Sequence, residues 1–398
     1  MNKKISLGLS LSLIILSITV TFAVTMAMSK TVYNKIINNL SLRTSASEAI
    51  EEISEIVSNY FFGTVDDRTA IITASLVEGY VEGLGDSNSR YLSSAEFADY
   101  NDRINGKLSG IGIDCTYDSQ LNSLVVAYVY DGSPAETAGL KQGDRIIEVA
   151  DTKVTKKNYS SLISQLYGSK LSSVKILYER GGETDTVEPM LGFEIPTVTS
   201  SVHGSIARIR ISAFYKDTSA EFSDCIKSLQ ASGITSFVID LRNTSDGTLE
   251  YAAQTLDVLV PASASGRYVA ATYDKNGNRL SVFTAESSSV VASYAVLVNS
   301  STAGPAELFA CDLRDISSAK TVGTTTAGIG TYQKPYSLSS GDAVMLTVAR
   351  VEPYNAESAY DGKGIEPDYV CEMQEPSNVW LLSEEQDLQL KQALEILQ

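Results

Sequence analysis

The chain has 398 residues, a length that predicts two or three domains. Hydrophobic residues make up 43% of it and charged residues 20%, which is typical of a globular protein. The formal net charge of -17 argues against a nucleic-acid-binding protein, because no dense surface of lysine and arginine is available to bind phosphates.

Cysteine and histidine are scarce. The four cysteines form no CxxC pair, so we expect no zinc or iron–sulfur cluster, no other metal site and no cofactor. The single histidine, His203, lies beside Gly204 and is expected to be a turn residue. A Ser-His-Asp mechanism would have to use this one side chain.

The amino terminus contains a long apolar run. Lys3 and Lys4 precede the run, which extends over 24 residues from Ile5 to Met28 without a charge. This length is sufficient for a helix to span a bilayer. Residues 1–28 therefore predict a cytoplasmic start and an uncleaved signal anchor, which places the rest of the chain outside the cytoplasm. A cleaved signal peptide is the alternative.

A helical segment is predicted for residues 29–105. Apolar residues recur at helical spacing from Ser45 to Phe62. A second helix carries Ile71, Leu76 and Tyr80 after two aspartates that can cap its start.

A β-rich module is predicted for residues 106–190. Val125–Val129 and Gly143–Val149 have the composition of strands, and Gly132–Leu140 has that of a turn with one helical turn. Tyr159–Tyr167 is predicted to be an amphipathic helix.

Strands and helices alternate over residues 191–380, which predicts a sheet covered by helices. Residues 381–398 are predicted to be a C-terminal helix. The main predicted elements of the alternating region are the strands Phe237–Leu241 and Ala295–Val298, the helices Leu249–Val260 and Ala306–Ile316, and a hairpin at Asn276-Gly277 between Tyr268–Tyr273 and Arg279–Phe283.

Several short motifs follow one another over most of the chain. They are Leu84–Ser87 with Ser89–Leu92, Gly110–Ile113, Gly132–Ala135 with Ala138–Leu140, Asp240–Asn243, Gly362–Ile365 with Pro367–Asp368, and the segment Asp387–Leu397. Each is weak alone, but their order resembles the C-terminal processing peptidases, also called tail-specific serine peptidases. The resemblance implies an α/β fold in which a helical arm, a PDZ-like module and a peptidase-type core follow the transmembrane helix.

The PDZ-like resemblance implies recognition of polypeptide C-termini. A carboxylate needs several backbone N–H donors, and the glycines of Gly110-Ile111-Gly112-Ile113 would let the backbone approach it closely. The bound peptide would then pair as a strand beside Ile111–Ile113. The alternative is that these glycines only form a tight entry to a strand.

The resemblance also implies a serine nucleophile and a lysine base. The family's serine follows a buried strand, in a run of small residues that ends in glutamate. When this chain is aligned on Glu307, the serine position is Gly304. The family's lysine lies in a glycine-flanked loop before a glutamine, which here is Gln333, and the lysine position is Ile329. Neither residue can act as nucleophile or base, so we expect no functional catalytic pair.

A third departure concerns the oxyanion hole. The family's Pro-Gly-Gly run is replaced by Thr244-Ser245-Asp246-Gly247. We therefore expect Asp246 and Gly247 in the oxyanion region, where the charge of Asp246 would oppose a developing oxyanion.

Neighbouring residues offer an alternative catalytic pair. Ser300, Ser301 and Thr302 lie close to the serine position, and Lys320 and Lys334 flank the loop of the lysine position. A displaced nucleophile would need a displaced base as well.

The sequence therefore predicts a membrane-anchored, extracytoplasmic polypeptide-binding protein with a serine peptidase fold, acting as a regulator or scaffold without cleaving its ligand. Its expected partners are polypeptide C-termini or unfolded segments, and an active peptidase paralogue or a second copy of the chain. The alternative is an active C-terminal processing serine endopeptidase that uses displaced residues.

Overall fold

The structure is a computed structural model. It describes residues 17, 20, 21, 26, 46–63, 68–168, 172–260, 267–285, 292–373, 379 and 382–398. The predicted anchor, residues 5–28, lies outside the described residues except at four positions. Nowhere in these ranges does a helix have both the length and the apolar character that a membrane span requires.

The chain divides into two compact units, residues 1–77 and 78–398. The described part of the first unit contains helix α1 over residues 46–60. Helix α2, Thr69–Glu82, begins in the first unit and ends in the second. Both segments are helical, as the spacing of their apolar residues predicted. The second unit continues with strand β1, Arg90–Leu92, and helix α3, Ser94–Ile104, which begins with a capping box between Ser93 and Glu96.

Antiparallel strands build the module that follows. Its strands are β2 (Ser109–Gly110), β3 (Ile113–Asp118), β4 (Ser123–Val129), β5 (Arg145–Val149), β6 (Thr152–Lys153), β7 (Ile176–Arg180), β8 (Glu183–Val187) and β9 (Phe193–Glu194). The main sheet has the order β3-β4-β5-β7-β8, with β6 on β5, and β2 pairs with β9. Its two short helices are α4 (Pro134–Thr137) and α5 (Tyr159–Ser164). The predicted strands and helix are confirmed, although α5 ends before Tyr167.

A second sheet of six strands forms the centre of the core. Its strands are β10 (Val198–His203), β11 (Ile206–Ile211), β13 (Ser236–Asp240), β17 (Ser293–Val298), β18 (Lys320–Gly323) and β21 (Tyr369–Val370), in that spatial order. The β10–β11 pair is antiparallel and the other pairs are parallel. A separate two-stranded parallel sheet pairs β12 (Ala213–Phe214) with β14 (Asp246–Gly247).

Helices cover both faces of this sheet. They are α6 (Thr218–Ala231), α7 (Leu249–Asp257), α8 (Pro305–Ser317) and α9 (Leu388–Ile396). Alternate residues of β13 point to opposite faces, so Phe237 joins the cluster with α6, α7 and α8, whereas Val238 joins the cluster with α9. The predicted helix-covered sheet is therefore confirmed. The C-terminal helix exists but is shorter than the predicted residues 381–398, because α9 spans only Leu388–Ile396.

A third, antiparallel sheet was not predicted as a sheet. It contains β1, β15 (Arg267–Tyr273), β16 (Arg279–Ala285), β19 (Thr331–Ser337) and β20 (Ala343–Glu352). The order is β1-β20-β15-β16, and β19 also pairs with β20. The predicted hairpin at Asn276-Gly277 joins β15 to β16 and is confirmed.

Candidate functional site

Three loops meet at one edge of the central sheet because β13, β17 and β18 are parallel and end there. The loop after β17 turns sharply into α8 at Gly304, whose backbone has φ +55° and ψ −110°. The Thr302 hydroxyl holds this turn by donating to the Leu241 carbonyl at 2.9 Å, and the Ala303 N–H donates to the Thr244 carbonyl at 3.0 Å. The result is a strand-to-helix elbow at the predicted nucleophile position.

The backbone at Gly304 is one that L-residues adopt only with strain. The space around it is nevertheless open, because a Cβ atom built there would meet nothing within 4 Å. The position therefore has room for a side chain, although the backbone beneath it would be strained.

A buried carboxylate joins this elbow to the loop of the predicted lysine position. Glu307 Oε2 accepts hydrogen bonds from the N–H groups of Gly304 at 3.0 Å and Ile329 at 2.8 Å. Its Oε1 atom accepts from the Gly328 N–H at 2.7 Å and from the Thr326 hydroxyl. Glu307 is fully buried, and these four donors compensate for the loss of water around its charge.

The glycine-rich motif at Gly362–Ile365 supports the same loop. The Gly362 N–H donates to the Gly328 carbonyl at 2.8 Å, and the Ile365 N–H donates to the Thr326 hydroxyl at 2.7 Å. A Cβ atom at Gly328 would approach the Gly364 nitrogen to 2.7 Å. The two segments therefore require glycine in order to pack this closely.

All five residues predicted for the catalytic and oxyanion regions line one cavity of about 440 Å³. They are Gly304, Ile329, Gln333, Asp246 and Gly247. The Ile329 side chain is half-buried in its wall. The Gln333 amide donates to the Thr331 hydroxyl at 2.7 Å. The sequence alignment thus brought together residues that are also neighbours in space.

Asp246 is ion-paired in this cavity, which the sequence did not reveal. Its Oδ2 atom accepts from Arg103 Nη1 at 2.7 Å and from the Tyr215 hydroxyl at 2.6 Å. Burial, and then the nearby Asp246 carboxylate, raise the pKa of Tyr215 well above its usual range, so this hydroxyl remains a donor. Arg103 also pairs with Asp99 at 3.0 Å, so one cation is shared by two carboxylates and offsets part of the charge that was expected to oppose an oxyanion.

Gly247 is held by contacts of its own. Its N–H donates to Asp246 Oδ1 at 2.9 Å, so in this conformation it points to that carboxylate. A Cβ atom at this position would lie 2.3 Å from the Phe214 carbonyl oxygen, which explains why glycine is needed where β14 pairs with β12.

The displaced catalytic candidates do not line the cavity. Ser300 and Ser301 are exposed outside it, and the Thr302 hydroxyl is buried and bonded within the elbow. Lys320 on β18 and Lys334 on β19 are exposed, and neither lines the cavity. Among the described residues, the cavity lining contains no lysine and no histidine.

Sequence reasoning missed the far wall of the cavity. This wall includes Arg90 on β1, and Tyr100 and Arg103 on α3. The pairing of Arg103 with Asp246 joins residues separated by 143 positions. No local pattern in the sequence reveals such a contact.

The predicted peptide-binding segment, Gly110–Ile113, is fully buried. The Ile111 N–H donates to the Leu166 carbonyl at 3.0 Å, and the Tyr167 hydroxyl donates to the Ile113 carbonyl at 3.3 Å. Cβ atoms at Gly110 and Gly112 would lie 2.6 and 2.3 Å from neighbouring atoms. These contacts favour the alternative in which the glycines form a tight strand entry.

Aromatic rings close the space between β3 and α5 in the same module. The rings of Tyr117 and Tyr159 stack with centroids 4.4 Å apart. A peptide strand added beside β3 would have to separate them.

No group of three or more His, Cys, Asp or Glu side chains in the described part of the chain could hold a metal ion. The four cysteines are free thiols.

Comparison with protein families gives two matches. Residues 109–190 match the PDZ domain, and residues 205–371 match peptidase family S41. The chain carries a PDZ domain and a peptidase family S41 domain. The sequence-based assignment to the C-terminal processing peptidases is confirmed at this level.

Named relatives agree with this assignment. The carboxy-terminal processing protease CtpA of Bacillus subtilis (strain 168) is 29% identical over 322 residues, which are 80% of this chain and 67% of that protein. A probable CtpA-like serine protease of Staphylococcus aureus (strain N315) is 26% identical over 341 residues, 84% of this chain and 67% of its own length.

Solved structures share the fold. A photosystem II D1 C-terminal processing protease is 25% identical, with a TM-score of 0.51 over 80% of this chain and 86% of its own. A structure named Putative S41 protease, from Bacteroides fragilis NCTC 9343, has a TM-score of 0.58 at 19% identity, and the match covers 80% of this chain and 89% of that one.

Proposed function

We propose that this chain binds polypeptides through an S41 peptidase fold without cleaving them, and acts as a regulator or scaffold. One observation carries the proposal. The elbow and the loop are joined as a catalytic site would require, yet positions 304 and 329 hold glycine and isoleucine. Loss of either member of a nucleophile–base unit lowers the rate of a serine protease by about a millionfold.

The cavity retains features that suit a polypeptide ligand. The exposed Arg90 can bind a carboxylate, and the rings of Tyr100 and Tyr332 offer apolar contact area. These features support binding of polypeptide C-termini or unfolded segments. A second copy of this chain or an active peptidase paralogue would be a partner in regulation.

Membrane anchoring is part of this proposal. It rests on the uncharged run from Ile5 to Met28 after Lys3 and Lys4, which would place the PDZ and S41 domains outside the cytoplasm. Sequencing the amino terminus of the native protein tests it. A mature terminus beyond Met28 would show cleavage instead of anchoring.

The second candidate is an active C-terminal processing peptidase. Its similarity to the CtpA protease of Bacillus subtilis and to a probable CtpA-like serine protease supports it, and the side chains of Ser245 and Thr331 carry two hydroxyl groups on the cavity wall. It needs a base, and Lys320 and Lys334 lie away from this wall.

A cleavage assay separates the two candidates. The purified protein is incubated with casein and with a fluorescent C-terminal peptide, and the CtpA protease of Bacillus subtilis serves as the positive control. We expect no turnover by this chain and measurable binding of the peptide by fluorescence anisotropy.

Turnover that is abolished by Ser245→Ala or Ser301→Ala would establish the active peptidase instead. Binding that is unchanged by Arg90→Ala would contradict a role for this cavity. The PDZ mode is tested separately with acid and amide forms of one peptide, because only the acid form offers a carboxylate to backbone N–H groups.

A further inference from the structure

A hydrogen-bonded chain of three side chains lies away from the elbow cavity. The Ser201 hydroxyl is 2.9 Å from His203 Nε2, and His203 Nδ1 is 2.9 Å from Glu384 Oε2. This is the connectivity of a serine hydrolase triad: one ring nitrogen faces the hydroxyl and the other faces a carboxylate.

The backbone explains why Ser201 and His203 meet. They are two residues apart on β10, so both side chains point to the same face of the sheet. β10 is the outer strand of its sheet, which leaves Ser201 exposed. The His203 side chain is only 13% exposed, so its surroundings limit how the ring can turn. Glu384 comes from the segment before α9, and its side chain is 55% exposed.

A second cavity, of about 240 Å³, opens beside Ser201. Ser201, Thr199, Arg208 and Arg210 line it from the core, and Tyr128 lines it from the PDZ domain. Ser201 lies directly opposite Arg208 in the antiparallel β10–β11 pair, and such neighbours have Cβ atoms about 4.5–5.5 Å apart. Arg208 also forms an ion pair with Asp240, at 2.9 Å.

We propose that Ser201, His203 and Glu384 form a second hydrolytic site, which cleaves small acyl esters bound in this cavity. Ser201 and His203 are its catalytic residues, and Glu384 is a positioning residue that holds the imidazole. Arg208 lines the same cavity opposite Ser201, and although its ion pair with Asp240 offsets its charge, its guanidinium N–H groups would donate hydrogen bonds to the oxyanion. This site uses none of the residues of the elbow cavity.

The reaction has two balanced steps. The Ser201 oxygen attacks the ester carbonyl while its proton passes to His203 Nε2, and the C–O bond to the alcohol breaks as that proton transfers to the departing alkoxide. Water then attacks the acyl-serine and gives one proton to His203 Nε2. That proton returns to the Ser201 oxygen as the carboxylic acid leaves.

The composition of the chain makes the test unusually clean. His203 is its only histidine, so a protein made without a histidine tag contains one imidazole. We would measure p-nitrophenyl acetate hydrolysis by the full chain and by Ser201→Ala, His203→Ala and Ser228→Ala. Ser228 is the matched control, because it is an exposed serine on α6 outside both cavities.

We expect Ser201→Ala and His203→Ala each to lower kcat/KM about 100-fold or more, and Ser228→Ala to leave it unchanged. Mass spectrometry of the quenched reaction should find one acetyl group on the peptide that contains Ser201. Hydrolysis that survives Ser201→Ala would show that the imidazole acts alone, and would overturn the proposal. An acetyl group found only on lysines would do the same.

Glu384 needs a readout that separates positioning from folding. We expect Glu384→Gln to lower kcat about 10-fold with KM unchanged, because the imidazole loses its charged partner. Glu384→Asp should restore part of kcat. Equal kcat in the parent, Glu384→Gln and Glu384→Asp would show that Glu384 has no part in the site. An unchanged melting temperature in Ser201→Ala would show that its lost activity does not reflect unfolding.

Discussion

The backbone N–H groups of Gly304 and Ile329 donate to the same atom, Glu307 Oε2, at 3.0 and 2.8 Å. One buried carboxylate oxygen therefore fixes the spacing between the predicted nucleophile and base positions. This spacing depends on backbone atoms and Glu307, and not on the side chains at 304 and 329. The frame of the site therefore does not require a serine or a lysine at these two positions.

Glu307→Gln tests this frame. The amide would present N–H groups to at least one of the four donors that now contact the carboxylate, leaving buried donors unsatisfied. We expect the free energy of unfolding to fall by about 2–4 kcal/mol in urea denaturation. Glu136→Gln is the matched control: Glu136 is exposed and accepts one backbone N–H, from Gly132. We expect it to lose less than about 1 kcal/mol, and equal losses in the two variants would contradict the account of Glu307.

Gly304→Ser and Gly304→Ala measure the strain at the elbow. Both add a Cβ atom where there is room, on a backbone with positive φ. We expect each to lower the free energy of unfolding by about 1–3 kcal/mol. The similar size of the two losses would identify the backbone, and not the hydroxyl, as the cause. A serine variant as stable as the parent would rule out this conformation.

Restoring the catalytic pair should not be helped by removing Asp246. We expect Gly304→Ser with Ile329→Lys to fold and to cleave a C-terminal peptide weakly. From the sequence alone, Asp246→Gly would be expected to raise that activity. Because Asp246 pairs with Arg103 and Tyr215, we now expect the triple variant to be less stable and no more active. If the triple variant cleaves the peptide faster than the double variant, the charge of Asp246 does oppose the oxyanion, as the sequence suggested.

Lowering the pH should reduce the free energy of unfolding, because Asp240 in the core becomes protonated. Burial would raise the pKa of this carboxyl, but the Arg242 and Arg208 guanidinium groups outweigh burial and lower it from 3.8 to about 2. Because the pKa is lower in the folded state, the ionised form of Asp240 stabilises the fold, and this contribution of about 2 kcal/mol is fully present above about pH 4. It is lost as the pH falls from about 4 to 2. Urea unfolding at several pH values checks this. Asp240→Asn should flatten the curve in that window, and an unchanged slope would assign the effect to other groups.

Much of the fold could be predicted because its signals are local. The Asn276-Gly277 hairpin needs left-handed backbone that glycine supplies, and it joins β15 to β16 as expected. The buried strand Phe237–Leu241 was visible as an apolar run and forms β13. The elbow residues could be located because a strand, small residues and Glu307 follow one another in the chain.

The features that could not be predicted from the sequence depend on contacts between distant segments of the chain. β20 pairs with β1, β15 and β19, and no property of its own sequence names these partners. The charge of Asp246 could be read, but its ion pair with Arg103 could not, because α3 reaches the site only in the folded chain. Likewise, His203 was expected to be a turn residue but ends strand β10, and the sequence gave no sign that Glu384 would approach its ring.

The left-handed backbone at Gly304 also makes substitutions in the two directions unequal. A change from glycine to any L-residue there adds backbone strain, whereas the reverse change relieves it. A side chain at position 304 would therefore lower stability at once and, under the proposed function, would add no catalysis until a base also stood at position 329. Selection for stability alone would keep glycine at the elbow.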